Sequence, residues 1–199
     1  MKDLERLKIT RKTGSESFKN GEAKLDFDLL DFWRWSVSDV VSNVTRGVLA
    51  EYIVAQALDI ATGVRDEWAA FDLCTATRIK IEVKSAVFVQ SWHQEQLSAI
   101  TFRTPKTRAW DPDTNRQSLE PRRQADVYVF ALLAHQDKPT INPLDVSQWE
   151  FYVLPTRVLD ERSRSQHSIT LATLRRLCQS VPYSALAETV EKSVASKTV

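Results

Sequence analysis

Residues 78–85 read Arg-Ile-Lys-Ile-Glu-Val-Lys-Ser, which puts Ile79, Ile81 and Val83 on one side of an extended chain and Lys80, Glu82 and Lys84 on the other. Period-two alternation rich in β-branched residues predicts a half-buried strand. Just upstream, Trp68-Ala-Ala-Phe-Asp-Leu73 predicts a second short strand, with Cys74-Thr-Ala-Thr77 as the connecting hairpin loop. In such a hairpin Asp72 lies opposite a residue near 80–82, so Asp72 and Glu82 become neighbours. Glu82 and Lys84 are two apart and point the same way, roughly 7 Å from each other along the strand.

A helical pattern covers residues 36–60, where Val44, Val48, Leu49, Tyr52, Ile53, Ala57 and Ile60 recur at helical spacing. Ser36 or Ser38 is the expected cap. Glu51 sits among these apolar residues, with Gly47 one turn before it. A glycine inside a helix costs about 1 kcal/mol relative to alanine, which makes sense where another backbone or a phosphate passes close.

Further along, Leu97–Arg103 predicts a third strand. The near-continuous apolar run Ala125–Leu133 predicts a central strand covered on both faces. Trp149–Leu154 predicts another strand, ended by Pro155. Short helices are expected over 156–161, from about Thr170 to Cys178, and over Ser184–Val194. These elements suit an α/β protein with a mixed central sheet flanked by helices on both sides. Residues 1–25 carry seven Lys or Arg against four acids and read as a basic polar arm, a candidate mobile extension of a single domain over 26–195.

Composition narrows the function classes. The net charge is +1, with 43% hydrophobic and 27% charged residues, ordinary for a globular protein. No apolar run approaches the ~18 residues of a membrane span, and the N-terminus, with Asp3 and Glu5, lacks the apolar core of a secretory signal. Two cysteines without a framework suit a reducing cytoplasm. There is no Cys-x2–4-Cys, no Gly-rich phosphate loop and no Gly-x-Ser-x-Gly elbow, and His93, His135 and His167 are scattered. No small-molecule cofactor is expected.

What remains is Glu51, Asp72, Glu82 and Lys84. Two carboxylates and an ammonium on one surface suit a divalent cation and an attacking water; the Val83 carbonyl could add an oxygen ligand, and Glu51 could bind the ion directly or orient its water. A bland alternative stands beside this: Glu-x-Lys on a strand is often a solvated face, and Glu51 could simply pair with Arg46 or Lys84. Residues 103–123 hold six basic side chains against three acids, with Trp110 among them and Pro105, Pro112 and Pro121 as punctuation. Such a loop could track a phosphate backbone through Arg103, Lys106, Arg108, Arg116, Arg122 and Arg123, with Arg46 and Trp92 as further candidate contacts.

In chain order the motifs are Gly47-x3-Glu51, Asp72, Glu82-x-Lys84 and Gln90. This order resembles the PD-(D/E)xK nuclease superfamily, the restriction-endonuclease-like fold. The Arg46–Glu51 run is similar to the first helix of several such nucleases, and Phe71 stands where the family often has Pro. The resemblance implies a Mg²⁺- or Mn²⁺-dependent endonuclease acting on DNA, either restriction-type or a repair and recombination enzyme. Asp72, Glu82 and Lys84 match its motif, Glu51 is the helix acid, and Gln90 is a candidate auxiliary residue. It also implies a symmetric homodimer. A non-catalytic nucleic-acid-binding or interaction protein of the same fold is the alternative.

Overall fold

A computed structural model of the protein describes residues 4–163 and 166–195. In chain order the elements are β1 (Ser17–Asn20), β2 (Ala23–Asp28), α1 (Leu29–Val37), α2 (Asn43–Ala57), β3 (Leu73–Cys74), β4 (Lys80–Val87) and β5 (Thr101–Arg103). They continue with β6 (Trp110–Asp111), β7 (Arg116–Gln117), β8 (Val127–Leu133), β9 (Trp149–Pro155), α3 (Thr156–Asp160), β10 (Ser168–Thr170), α4 (Leu171–Leu177), β11 (Ser180–Val181) and α5 (Leu186–Ala195).

The central sheet has the order β11-β9-β8-β4-β3. β4 and β8 run parallel, with Glu82 beside Tyr128 and Lys84 beside Phe130, while the other neighbours are antiparallel. The sheet is therefore mixed, as expected. Every residue of β8 is buried, because the strand has packing on both faces. On one face Ile81, Val83, Val127, Val129 and Phe151 meet Ala50, Ile53 and Val54 of α2 and Leu186 and Val190 of α5. On the other, Ala86, Tyr128, Phe130 and Tyr152 meet Phe102, Leu159, Ile169 and Leu174. The period-two alternation of β4 divides its side chains between these two layers.

Several elements differ from the expected ones. The helix expected from Ser36 or Ser38 begins at Asn43, and residues 29–37 form a helix of their own, started by a capping box between Asp28 and Asp31. The strand expected over 68–73 shrinks to β3, because Asp66 draws the Trp68 N–H into a turn at 3.1 Å. The strand expected over 97–103 is only β5, and it pairs with β10 rather than with the central sheet. Its partner lies some sixty-five residues downstream, beyond any local signal. The basic loop is partly ordered as the β6–β7 ribbon above a Thr107–Arg122 bridge.

Near the N-terminus β1 and β2 form a hairpin, so position 25 falls within β2. Arg6 reaches Asp66 at 2.7 Å and Asp113 at 3.4 Å. Gly47 does not mark a close backbone contact: a Cβ placed there meets nothing within 4 Å. Among the described residues no helix is long and apolar enough to cross a membrane.

Candidate active site

The β3–β4 hairpin sets the site. Its turn is tight: the Thr75 hydroxyl accepts the Ile79 N–H at 3.0 Å, and Arg78 adopts the left-handed region at φ 68°. The resulting register pairs Leu73 with Ile81 and Cys74 with Lys80. One residue further, Asp72 falls opposite Glu82. Its N–H donates to the Ile81 carbonyl at 3.0 Å, and its Oδ2 accepts the Val83 N–H at 2.7 Å. β3 thus stops where the Asp72 carboxylate takes its place on the edge of β4. A residue's N–H and C=O lie on the same edge of an antiparallel strand, so the Val83 carbonyl faces this side as well.

Glu82 and Lys84 share the face carrying Tyr128 and Phe130, and Lys84 Nζ meets Glu82 Oε1 at 2.5 Å. Glu51 comes from α2, on the opposite layer, and shares a cavity wall with Asp72, whose carboxyl its charge helps to raise. Its side chain is 13% exposed and is gripped by Arg65, whose Nε and Nη2 each donate to one carboxylate oxygen, the latter at 3.0 Å.

These charges show in the titration of Asp72. Burial, then Glu82, then Glu51 push its carboxyl up to about 7, against the pull of Lys84 and the Val83 hydrogen bond. Burial and the nearby Glu82 also raise the Tyr128 phenol. Burial and the two neighbouring carboxylates therefore outweigh Lys84 and the Val83 amide at Asp72.

That donor set suits a hard divalent cation, which takes carboxylate and carbonyl oxygens and keeps several waters. Asp72 and Glu82 are neighbouring carboxylates, and the Val83 carbonyl lies on the edge of β4 that Asp72 occupies. Among the described residues no three acidic, His or Cys side chains stand grouped as a ready metal cage. The reason is visible: Glu51 is turned to Arg65 and Glu82 to Lys84.

A family model described as Bacteriophage T4 endonuclease IV matches residues 28–173. The chain belongs to that family. The matched span holds Glu51, Arg65, Asp72, Glu82, Lys84 and the β6–β7 ribbon. No curated protein matches the chain.

Within the endonuclease IV span, the other expected site residues scatter. Gln90 is buried beyond the far end of β4: its N–H donates to Gln94 and its Nε2 to Ser98 Oγ at 3.1 Å. Six residues of chain separate it from Lys84, so it packs the following loop and is not an auxiliary of the hairpin site. Trp92 is exposed at that same far end, where Lys138 donates to its carbonyl.

Arg46 and Arg123 are corrections too, because both are internal. Arg46 donates to the Val41 carbonyl and Asn43, and burial lowers its pKa. Arg123 pairs with Asp160 and ties down the carbonyls of Thr104 and Gln166. Neither guanidinium is presented to a phosphate. Arg103, Lys106, Arg108, Arg116 and Arg122 are exposed, although Lys106 lies 3.7 Å from Asp160.

The ribbon approaches the site. An open groove runs between residues 66–71 and Trp110–Ser118, with Arg6 and Arg116 on its walls and Trp68 edge-to-face with Trp110 at 5.4 Å. On the other side of Phe71, a cavity of about 460 Å³ opens between α2 and residues 60–74, with Glu51, Arg65 and Asp72 on its wall.

Arg65 is the functional candidate that the pattern of residues did not reveal. It lies in the unpatterned run Gly63-Val-Arg-Asp-Glu67, and only the fold carries it to Glu51, fourteen residues earlier in the chain.

Proposed function

We propose that the protein is a metal-dependent DNA endonuclease of PD-(D/E)xK type, using Mg²⁺ or Mn²⁺ to hydrolyse phosphodiester bonds. The observation that carries this reading is Asp72 lying opposite Glu82, with its carboxylate on the Val83 amide and Lys84 on the same strand as Glu82. Membership of a family whose printed name is an endonuclease supports it.

Asp72, Glu82 and the Val83 carbonyl would hold the cation, with Glu51 joining on release from Arg65. When bound, the cation lowers the pKa of a water and draws charge from the phosphoryl oxygens. Asp72 would bind the cation as the deprotonated carboxylate. Lys84 orients the attacking water and offsets charge growing on the phosphorane. Exposed Arg116, Arg108 and Arg122 supply phosphate contacts along the approach.

The test is cleavage of single-stranded, branched and duplex DNA with Mg²⁺ or Mn²⁺, with and without chelator. Wild type should cut and chelator should stop it, while Asp72→Ala and Lys84→Ala should lose cutting and keep the fold. Metal-dependent cutting that survives both changes would remove this assignment.

A further inference from the structure

The cavity between α2 and residues 60–74 has a composition that phosphodiester cleavage alone does not need. Its wall carries five ionic side chains, Glu51, Arg65 and Asp72 together with Arg11 and Asp66. The rest is largely apolar, formed by Val48, Tyr52, Ile60, Val64 and Phe71. At about 460 Å³ it falls in the range of sites that enclose small molecules, roughly 300–1,000 Å³. A deoxyribose–phosphate backbone carries one negative charge per nucleotide and gains little from such walls. The flat, weakly polar part of a nucleotide is its base.

We propose that this cavity is a nucleobase-binding site, receiving the base of a nucleotide that adjoins the cleaved phosphate, unstacked from its neighbours. The proposal rests on the reading of Glu51 and Asp72 as part of a phosphodiester-cleaving site. A phosphate beside these carboxylates places its own sugar within one nucleotide of the cavity mouth, so the ionic and apolar parts are used by one ligand. Tyr52, about half exposed, and Phe71 offer aromatic surface to the base. Thr62 at the rim offers a hydroxyl to its hydrogen-bonding edge.

The path of the strand fits this placement. Asp66, Ala69 and Phe71 line both the cavity and the open groove beside the ribbon. A strand leaving the cavity would pass Phe71 and the Arg6–Asp66 pair to reach the groove of Arg116 and Trp110. The cost of unstacking is least in a single strand or at a mismatch.

The test uses the full-length protein, and oligonucleotides in which the cut position has been mapped. Each flanking nucleotide is replaced in turn by an abasic analogue. Wild type should lose at least tenfold in kcat/KM at one flanking position and little at the others. Ala61→Trp and Val64→Trp, which fill the cavity and leave Glu51, Asp72, Glu82 and Lys84 intact, should lower kcat/KM on the natural strand by a similar factor. They should cause no further loss on the strand that is abasic at the sensitive position.

A second readout needs no cleavage. With Ca²⁺ in place of Mg²⁺, 2-aminopurine at the sensitive position should change its fluorescence on binding, and Ala61→Trp should abolish that change. Full activity of wild type on every abasic strand overturns the base site, as does equal loss by the filling variants on natural and abasic strands. If the variants fail to fold, the abasic series on wild type still decides. No metal-dependent cutting by wild type on any strand removes the endonuclease reading, and the base site falls with it. Cutting without base sensitivity removes the base site alone.

Discussion

Asp72 accepts the backbone N–H of Val83 at 2.7 Å, one residue beyond Glu82 on the facing strand. A side chain here does the work of a strand backbone: it satisfies β4 and is aimed by the same bond. Removing the acceptor strands a partly buried amide, which costs about 1–3 kcal/mol. Asp72→Ala should therefore lose stability as well as cleavage. Asp72→Asn keeps an oxygen for Val83, so it should hold wild-type stability or better while losing cleavage about 100-fold or more through the missing anionic ligand. Denaturant unfolding beside a cleavage assay separates the two effects. Equal stability of the Ala and Asn variants would show that the Val83 bond adds nothing.

The raised Asp72 carboxyl gives the metal-free protein a pH dependence. In the unfolded chain Asp72 ionises near its ordinary value, about 3.9, but in the folded protein it holds its proton up to about 7. Between those values the folded state binds more protons than the unfolded, so this group favours folding at acid pH and that contribution falls away as pH rises toward 7. Asp72→Asn removes the effect. Its melting temperature should match that of wild type near pH 4 and exceed it at pH 8, in chelator. Thermal unfolding across that range checks the sign; a gain confined to acid pH would contradict it.

The same two residues show how far pattern alone reaches. Alternation over 78–85 and a short loop make Asp72 and Glu82 neighbours without fixing the register, which the Thr75–Ile79 turn sets. The apolar run of β8 announced a central strand, since only burial on both faces tolerates it. Other features have no local signature. Arg46, Arg116 and Arg123 look alike as letters, yet two are internal and one is exposed. β5 finds β10 far along the chain, and Arg65 finds Glu51 only after α2 has packed on the sheet. Gln90 follows the right motif at a plausible distance in sequence, but an extended strand carries it to the wrong end.

The contrast among the arginines can be measured. Arg123→Ala leaves the carbonyls of Thr104 and Gln166 without their donor and removes the partner of Asp160. It should cost about 2–4 kcal/mol of stability. Arg116→Ala should leave the melting temperature unchanged, weaken DNA binding at low salt and reduce the salt slope by about 1. Fluorescence anisotropy at several salt concentrations, with unfolding curves of the same preparations, reads both. A destabilised Arg116→Ala, or a stable Arg123→Ala, would reverse these roles.

Arg65 poses the sharpest question about the site, because it holds Glu51 by both carboxylate oxygens while burial, then Glu82 and Glu51, raise the nearby Asp72 carboxyl. If Glu51 joins the cation, the two compete for the same oxygens. Arg65→Ala frees Glu51 and leaves its charge uncompensated. At pH 8 in chelator the variant should lose about 1 kcal/mol or less, since the guanidinium is 38% exposed. Under Mg²⁺ it should recover, with the midpoint of the Mg²⁺-induced rise in melting temperature at a lower concentration than in wild type. Arg65→Lys, which keeps the charge without the two-pronged grip, should fall between them. A Glu51→Gln, Arg65→Ala double variant completes the cycle: it should lose the tightened midpoint, because the freed carboxylate is gone. An identical Mg²⁺ midpoint in wild type and Arg65→Ala would mean that Glu51 stays with the helix and takes no part in holding the ion.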